Sequence, residues 1–185
     1  MVDDYLTDCE TRVGGKKTRE YNLWRNMRNR CTNSEKDVSY NNCKISEDFK
    51  QFSNFKSWCQ TQIGFDNQKW HLDKDIIVKG NKVYSPETCC FVPREINNLF
   101  TLRGKLRGNT PVGVCKSWKS GMYLSRLMKY GKLIHLGWFS TPEEAFEVYK
   151  ETKESYVKEV AEKWKDQIDP RVYQALLAWT VNIDD

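Results

Sequence analysis

Oxygen-bearing side chains gather between Trp70 and Phe100, in WHLDKDIIVKGNKVYSPETCCFVPREINNLF. Alternation puts His71, Asp73 and Asp75 on one side of an extended segment and Leu72 and Lys74 on the other. Gly80-Asn81 is a two-residue turn signal, after which Lys82-Val83-Tyr84 can return as a second strand. Ser85-Pro86 breaks that strand. Pro93 can sit at the first position of a short helix that carries Asn97 and ends near Phe100. A hard divalent cation takes oxygen ligands converging from different elements, and aspartate and asparagine oxygens suit it. DKD followed by GN fits an ordinary polar hairpin at least as well, if this fragment is taken alone.

LDKD, GNKVYSPETC and FVPREIN together resemble the ββα-metal core of phage HNH endonucleases. The resemblance implies that Asp73 on the first strand and Asn97 on the helix hold one metal ion, Mg2+ first and Mn2+ as a substitute. It implies that Asn81 occupies the loop position that orients the general base. The spacing of Tyr84-Ser85-Pro86 and Asn97 matches the family and weighs the metal site above the polar hairpin. A His usually stands beside the metal Asp in that family. Here the position is Lys74, and the nearest imidazole is His71, two residues before Asp73. Three outcomes stay open: His71 serves as base from the same strand face, metal-bound water is deprotonated without it, or the site is catalytically weak.

These residues need a scaffold, and the preceding segments supply one. Residues 1–17 end in Gly14-Gly15-Lys16-Lys17 and read as a flexible lead-in. Thr18 can cap a helix with Tyr21, Trp24, Met27 or Arg28, and Cys31 at helical spacing. Arg19, Arg25, Arg28 and Arg30 either reach phosphate or stay hydrated. Ser46 starts a second helix, with Glu47 and Asp48 in its first turn and Phe49, Phe52, Phe55 and Trp58 on its apolar face. YNLWRNMRNRC and SEDFKQFSNFKSW ahead of LDKD also resemble the phage HNH scaffold. Residues 103–111 read as a linker carrying Arg103, Lys105 and Arg107.

Three short strands are expected around 112–116, 122–128 and 133–139, with Gly121 and Gly131 in the turns. In the second, Tyr123, Ser125 and Leu127 face one way and Leu124, Arg126 and Met128 the other. Thr141-Pro142-Glu143-Glu144 is a capping box opening a long helix whose apolar positions include Phe146, Tyr149, Tyr156, Val160 and Trp164. GVCKSW, GMYLSRL, GKLIHLGWF and STPEEAFEVY together resemble the ethylene-response-factor-type DNA-binding domain. That resemblance implies a sheet face in the major groove, with Lys116, Trp118, Arg126 and His135 facing DNA. Cys115 and Ser117 stand where plant members often carry arginine, so base specificity does not transfer. An isolated Trp such as Trp118 otherwise reads first as core. Asp169-Pro170 begins a last packing helix with Val172, Leu176 and Trp179 on one side.

Charge separates these two regions. The net charge is only +5, yet residues 96–142 contain no Asp or Glu and eight Lys or Arg. From Glu143 onward eleven acids face six bases. A one-sign block of this kind is the footprint of a polyanion binder. The seven cysteines include no CxxC pair and neither His71 nor His135 completes a zinc spacing, so reduced thiols and no structural zinc are expected. The opening MVDDYLTDCE lacks an apolar signal region, and no apolar run is long enough to span a bilayer. A cytoplasmic protein is therefore the expectation, and the resemblance places it in a phage-infected bacterial host.

The expected architecture is α+β: a ββα-metal HNH core at 18–102 on a helical N-terminal scaffold, then a three-stranded antiparallel sheet packed on a helix at 112–185. The expected function is metal-dependent cleavage of double-stranded DNA at a site recognised partly by the C-terminal domain, with no membrane or small-molecule cofactor. The alternative is a DNA-binding protein with a degenerate site that does not cut.

Overall fold

Thr18 opens the first helix: its Oγ1 accepts from the Tyr21 N–H at 3.2 Å, and α1 (Arg19–Thr32) follows. The computed structural model describes residues 5–32, 41–100 and 110–185. Among them are six helices, several two-stranded sheets and one three-stranded antiparallel sheet packed on a long helix, a mixed α+β architecture. The chain divides into two compact units, Met1–Asn97 with Asp166–Ala175, and Asn98–Lys165 with Leu176–Asp185. No described helix is long and apolar enough to cross a membrane.

In the first unit, structure begins before Thr18. Strands β1 (Arg12–Val13) and β2 (Lys16–Lys17) form a hairpin around Gly14 and Gly15, whose φ values of 55° and 76° suit residues without a Cβ. Upstream, Leu6 pairs with the backbone at Gln51: its N–H donates to Lys50 O at 3.1 Å and its carbonyl accepts from Phe52 N at 2.9 Å. That pairing splits the helix expected from Ser46 into α2 (Glu47–Lys50) and α3 (Phe52–Thr61), with Gln51 extended between them. The apolar face survives the break. Phe49, Phe52 and Phe55 are fully buried, Trp24 Nε1 donates to Phe49 O at 2.7 Å, and Trp58 packs 5.8 Å from Phe91.

The strands pair differently from the expected hairpin. β4 (His71–Asp73) does not pair with Lys82-Val83-Tyr84. Its partner is β6 (Cys90–Val92), antiparallel, with His71 opposite Val92 and Asp73 opposite Cys90. β5 (Val83–Tyr84) runs parallel to β3 (Lys44–Ile45) instead. The reason is burial: all three β6 residues are buried, so this apolar strand covers Leu72 better than a surface hairpin would. Pro93 follows β6 directly, and α4 (Arg94–Leu99) begins after it. Cys89 and Cys90 are both buried.

In the second unit, β7 (Val114–Lys116), β8 (Tyr123–Lys129) and β9 (Lys132–Phe139) make the antiparallel sheet, with β8 central. The capping box holds: Glu144 N donates to Thr141 Oγ1 at 3.2 Å and Thr141 N to Glu144 Oε2 at 3.3 Å. Helix α5 (Pro142–Trp164) buries Ala145, Phe146, Tyr149, Tyr156, Val157 and Val160. Ser125 and Leu127 lie on its side of the sheet, buried. Gly113 (φ 77°) lets the chain pass so close to the Tyr149 ring that a Cβ would collide with it. Helix α6 (Pro170–Ala178), counted with the first unit as far as Ala175, opens at the expected proline and buries Val172 and Leu176.

Candidate functional site

Asp73 closes β4. Its Oδ1 accepts from the N–H groups of Asp75 at 2.8 Å and Ile76 at 2.9 Å. That turn takes Asp75 out of the strand, yet its carboxyl stays within hydrogen-bond reach of the Asp73 carboxyl. Burial pushes the Asp73 carboxyl up to about 6, and the nearby Asp75 charge adds to the rise against the two backbone donors. His71, two residues earlier on the same side of the strand, is exposed.

Lys74 points the other way. It is 5% exposed, with Nζ donating to Asp75 Oδ2 at 3.0 Å and Asn81 O at 3.1 Å, 5.8 Å from the Tyr84 ring centroid. Burial disfavours the ammonium, but the hydrogen bond and charge of Asp75 outweigh it and leave Lys74 raised. A buried ammonium held in this way has no free lone pair, so it cannot take a proton at neutral pH. Asn81 follows Gly80, whose φ is 79°. Its Nδ2 donates to the carbonyls of Lys74 at 2.6 Å and Val83 at 2.7 Å, and its Oδ1 accepts from Val83 N at 3.1 Å. The Asn81 side chain therefore fixes the backbone of residue 74.

Asn97 sits half-buried on α4, its N–H donating to Pro93 O at 3.1 Å in the first turn. Among the described residues, no three His, Cys, Asp or Glu side chains cluster as a metal site. The donor chemistry available is hard. Asp73 keeps Oδ2 clear of its two backbone donors. Burial pushes the neighbouring Cys89 thiol up to about 12 and Cys90 well up also.

The other sequence candidates lie on the second unit. Residues directly opposite across strands share a face, so Cys115, Leu124 and Trp138 lie together on the open side, as do Arg126 with His135 and Met128 with Leu133. Arg126 and His135 are exposed. Lys116 is a correction: it stands opposite Tyr123, on the α5 side, with Nζ 5.5 Å from the Tyr123 ring. Trp118 is not core. It is 88% exposed in the turn after β7, with Lys119 Nζ 5.0 Å from its ring centroid. Trp138, 53% exposed, joins Leu124 on the open face and is not among the residues the resemblance implies. Arg103, Lys105 and Arg107 lie outside the described residues. On the first unit, Arg19 is structural: its guanidinium donates to Phe65 O and, at 3.0 Å, to Trp70 O, bracing the entry to β4.

The chain matches no protein-family model, no curated protein and no solved structure.

Proposed function

We propose that the chain is a metal-dependent DNA endonuclease of the HNH type. In this reading β4, β6 and α4 form a ββα-metal centre, and the open face of the β7–β9 sheet, patterned like the ethylene-response-factor-type domain, binds the duplex. The observation that carries the reading is the loop asparagine. Asn81 clasps the carbonyl of residue 74, next to a half-buried carboxylate at a strand end, and an Asn-bearing helix follows the partner strand.

Asp73 through Oδ2 and Asn97 through its side-chain oxygen would hold the divalent ion. Bound there, Mg2+ or Mn2+ would stabilise the negative charge that builds on the scissile phosphate and the leaving oxygen. His71, exposed on the same side of β4, accepts a proton from the attacking water. Lys74 has no part in proton transfer; its ammonium braces Asp75 and the turn. Arg126, His135 and Trp138 meet the duplex.

One observation favours a second reading. With Lys74 locked where the family carries its base, the chain could bind DNA without cutting it. Plasmid cleavage in Mg2+ and in Mn2+ separates the two. The native chain is expected to cut, and Asp73→Ala to bind DNA without cutting. His71→Ala is expected to slow cleavage by about 10²–10⁴-fold, the usual share of a general base. Full activity in Asp73→Ala would refute the proposal. Binding with no cleavage by the native chain in either metal would establish the second reading.

A further inference from the structure

Strands β8 and β9 pair regularly on either side of one irregularity. Leu124 pairs with Trp138 and Ser125 with Gly137; then Arg126 pairs with His135 and Leu127 with Ile134. Leu136 is the extra residue of a β-bulge. Counting back from Trp138, a regular strand would set Leu136 opposite Arg126 and turn His135 towards α5. The bulge shifts the parity by one, so His135 stands on the open face across from Arg126. Gly137 beside the bulge takes φ 147°, and a Cβ there would lie 3.1 Å from the Phe139 ring.

Few charged groups face His135. β8 contributes Arg126 between Leu124 and Met128, β7 contributes Cys115, and β9 itself contributes Leu133 and Trp138. No carboxylate occurs in these strands or in the turns between them. Helix α5 packs on the opposite face, and its Glu159 is bound to Lys129 and Tyr130 at the β8–β9 turn. The sheet therefore offers the imidazole no carboxylate partner.

We propose that His135, brought beside Arg126 by the bulge, makes DNA binding on the open sheet face proton-linked. The imidazole takes up a proton as a phosphate oxygen of the duplex docks against the pair. A neutral imidazole offers one N–H, whereas the charged form donates from both nitrogens and adds a positive charge. Affinity therefore rises as pH falls through the histidine range. This rests on the reading of the open face as the DNA surface.

The test is fluorescence anisotropy of a labelled mixed-sequence duplex with the full chain in EDTA at fixed ionic strength, from about pH 8 to about pH 5.5. The native chain is expected to bind roughly three- to tenfold more tightly at the acid end, the effect of up to one proton taken up. His135→Gln should keep the weaker affinity throughout, and His135→Lys, a fixed cation, the tighter one. A flat native profile, or a pH dependence that survives in His135→Gln, overturns the proposal and leaves DNA binding standing. No binding at any pH overturns both this proposal and the reading beneath it.

Discussion

Asn81 closes the turn after β4 with one amide, through two donated bonds and one accepted bond. Each such bond contributes about 1 kcal/mol net, so Asn81→Ala is expected to cost roughly 2–3 kcal/mol. Asn81→Asp should cost nearly as much, because a carboxylate cannot donate to the Lys74 and Val83 carbonyls. Urea unfolding measures both, and a wild-type midpoint in either variant would contradict the assignment. Lys153 on α5 poses a different problem. It is 6% exposed, and its Nζ donates to Leu99 O at 2.7 Å. Burial pulls its ammonium down to about 8 from the ordinary 10.5. Between those values the unfolded chain holds a proton that the folded chain has released, so stability rises with pH across that window. The rise is on the order of 2–3 kcal/mol. Thermal unfolding of Lys153→Met should show a flatter profile from pH 8 to 10.5; equal slopes in the two proteins would show that Lys153 does not carry the effect.

At the scale of elements, the N-terminus of α3 is completed by residues far away in sequence. Asp8 accepts from Ser53 N at 2.9 Å, Ser53 Oγ at 2.6 Å and Gln51 Nε2 at 2.7 Å. Together with Leu6 O, this gives acceptors to the first two N–H groups of the helix, the role usually filled by a neighbouring side chain. The Ser53 hydroxyl contributes most to holding the Asp8 carboxyl down at about 2, below its ordinary 3.8. A depressed carboxylate stabilises above its unfolded value and loses that contribution as pH falls through the folded one. Asp8→Ala is thus expected to melt earlier than the native chain at neutral pH. The two melting curves should converge as pH drops from 3.8 towards 2. A gap of undiminished size at pH 2 would mean that Asp8 acts by something other than its charge.

For the whole molecule, charge and connectivity matter more than any single contact. A net charge of +5 conceals an acid-free stretch at 96–142. If Arg126 meets a phosphate, Arg126→Ala should flatten the slope of log affinity against log salt by about one unit. If it instead reads a guanine edge, the loss should be about 1–3 kcal/mol and should depend on sequence. A salt titration on duplexes of differing sequence separates the two, and no change in either quantity would remove Arg126 from the interface. Connectivity is not sequential. Residues Asp166–Ala175 count with the first unit, where Arg171 donates to Glu87 O at 2.9 Å and pairs with Asp169. Cutting the chain after the linker would therefore remove part of the first unit along with the sheet.

Much of this was legible in local patterns. The Thr18 cap, the Thr141–Glu144 box, the proline starts of α5 and α6 and the parity of β8 all depend on residues within a few positions of one another, so a short window of the chain is enough to read them. Asp73, Asn81 and Asn97 were named from a motif, and they lie at the end of β4, in the turn after it and on α4. Long-range pairing decided that Leu6 breaks the second helix at Gln51, because no proline or glycine marks that break and the hydrogen bonds come from 45 residues upstream. It likewise decided that β4 pairs with buried β6 and not β5, that Lys74 turns inward to Asp75, and that a bulge carries His135 to the open face. Strand partners and bulges follow from which distant backbone groups and apolar surfaces meet on folding, and a short window of sequence contains neither.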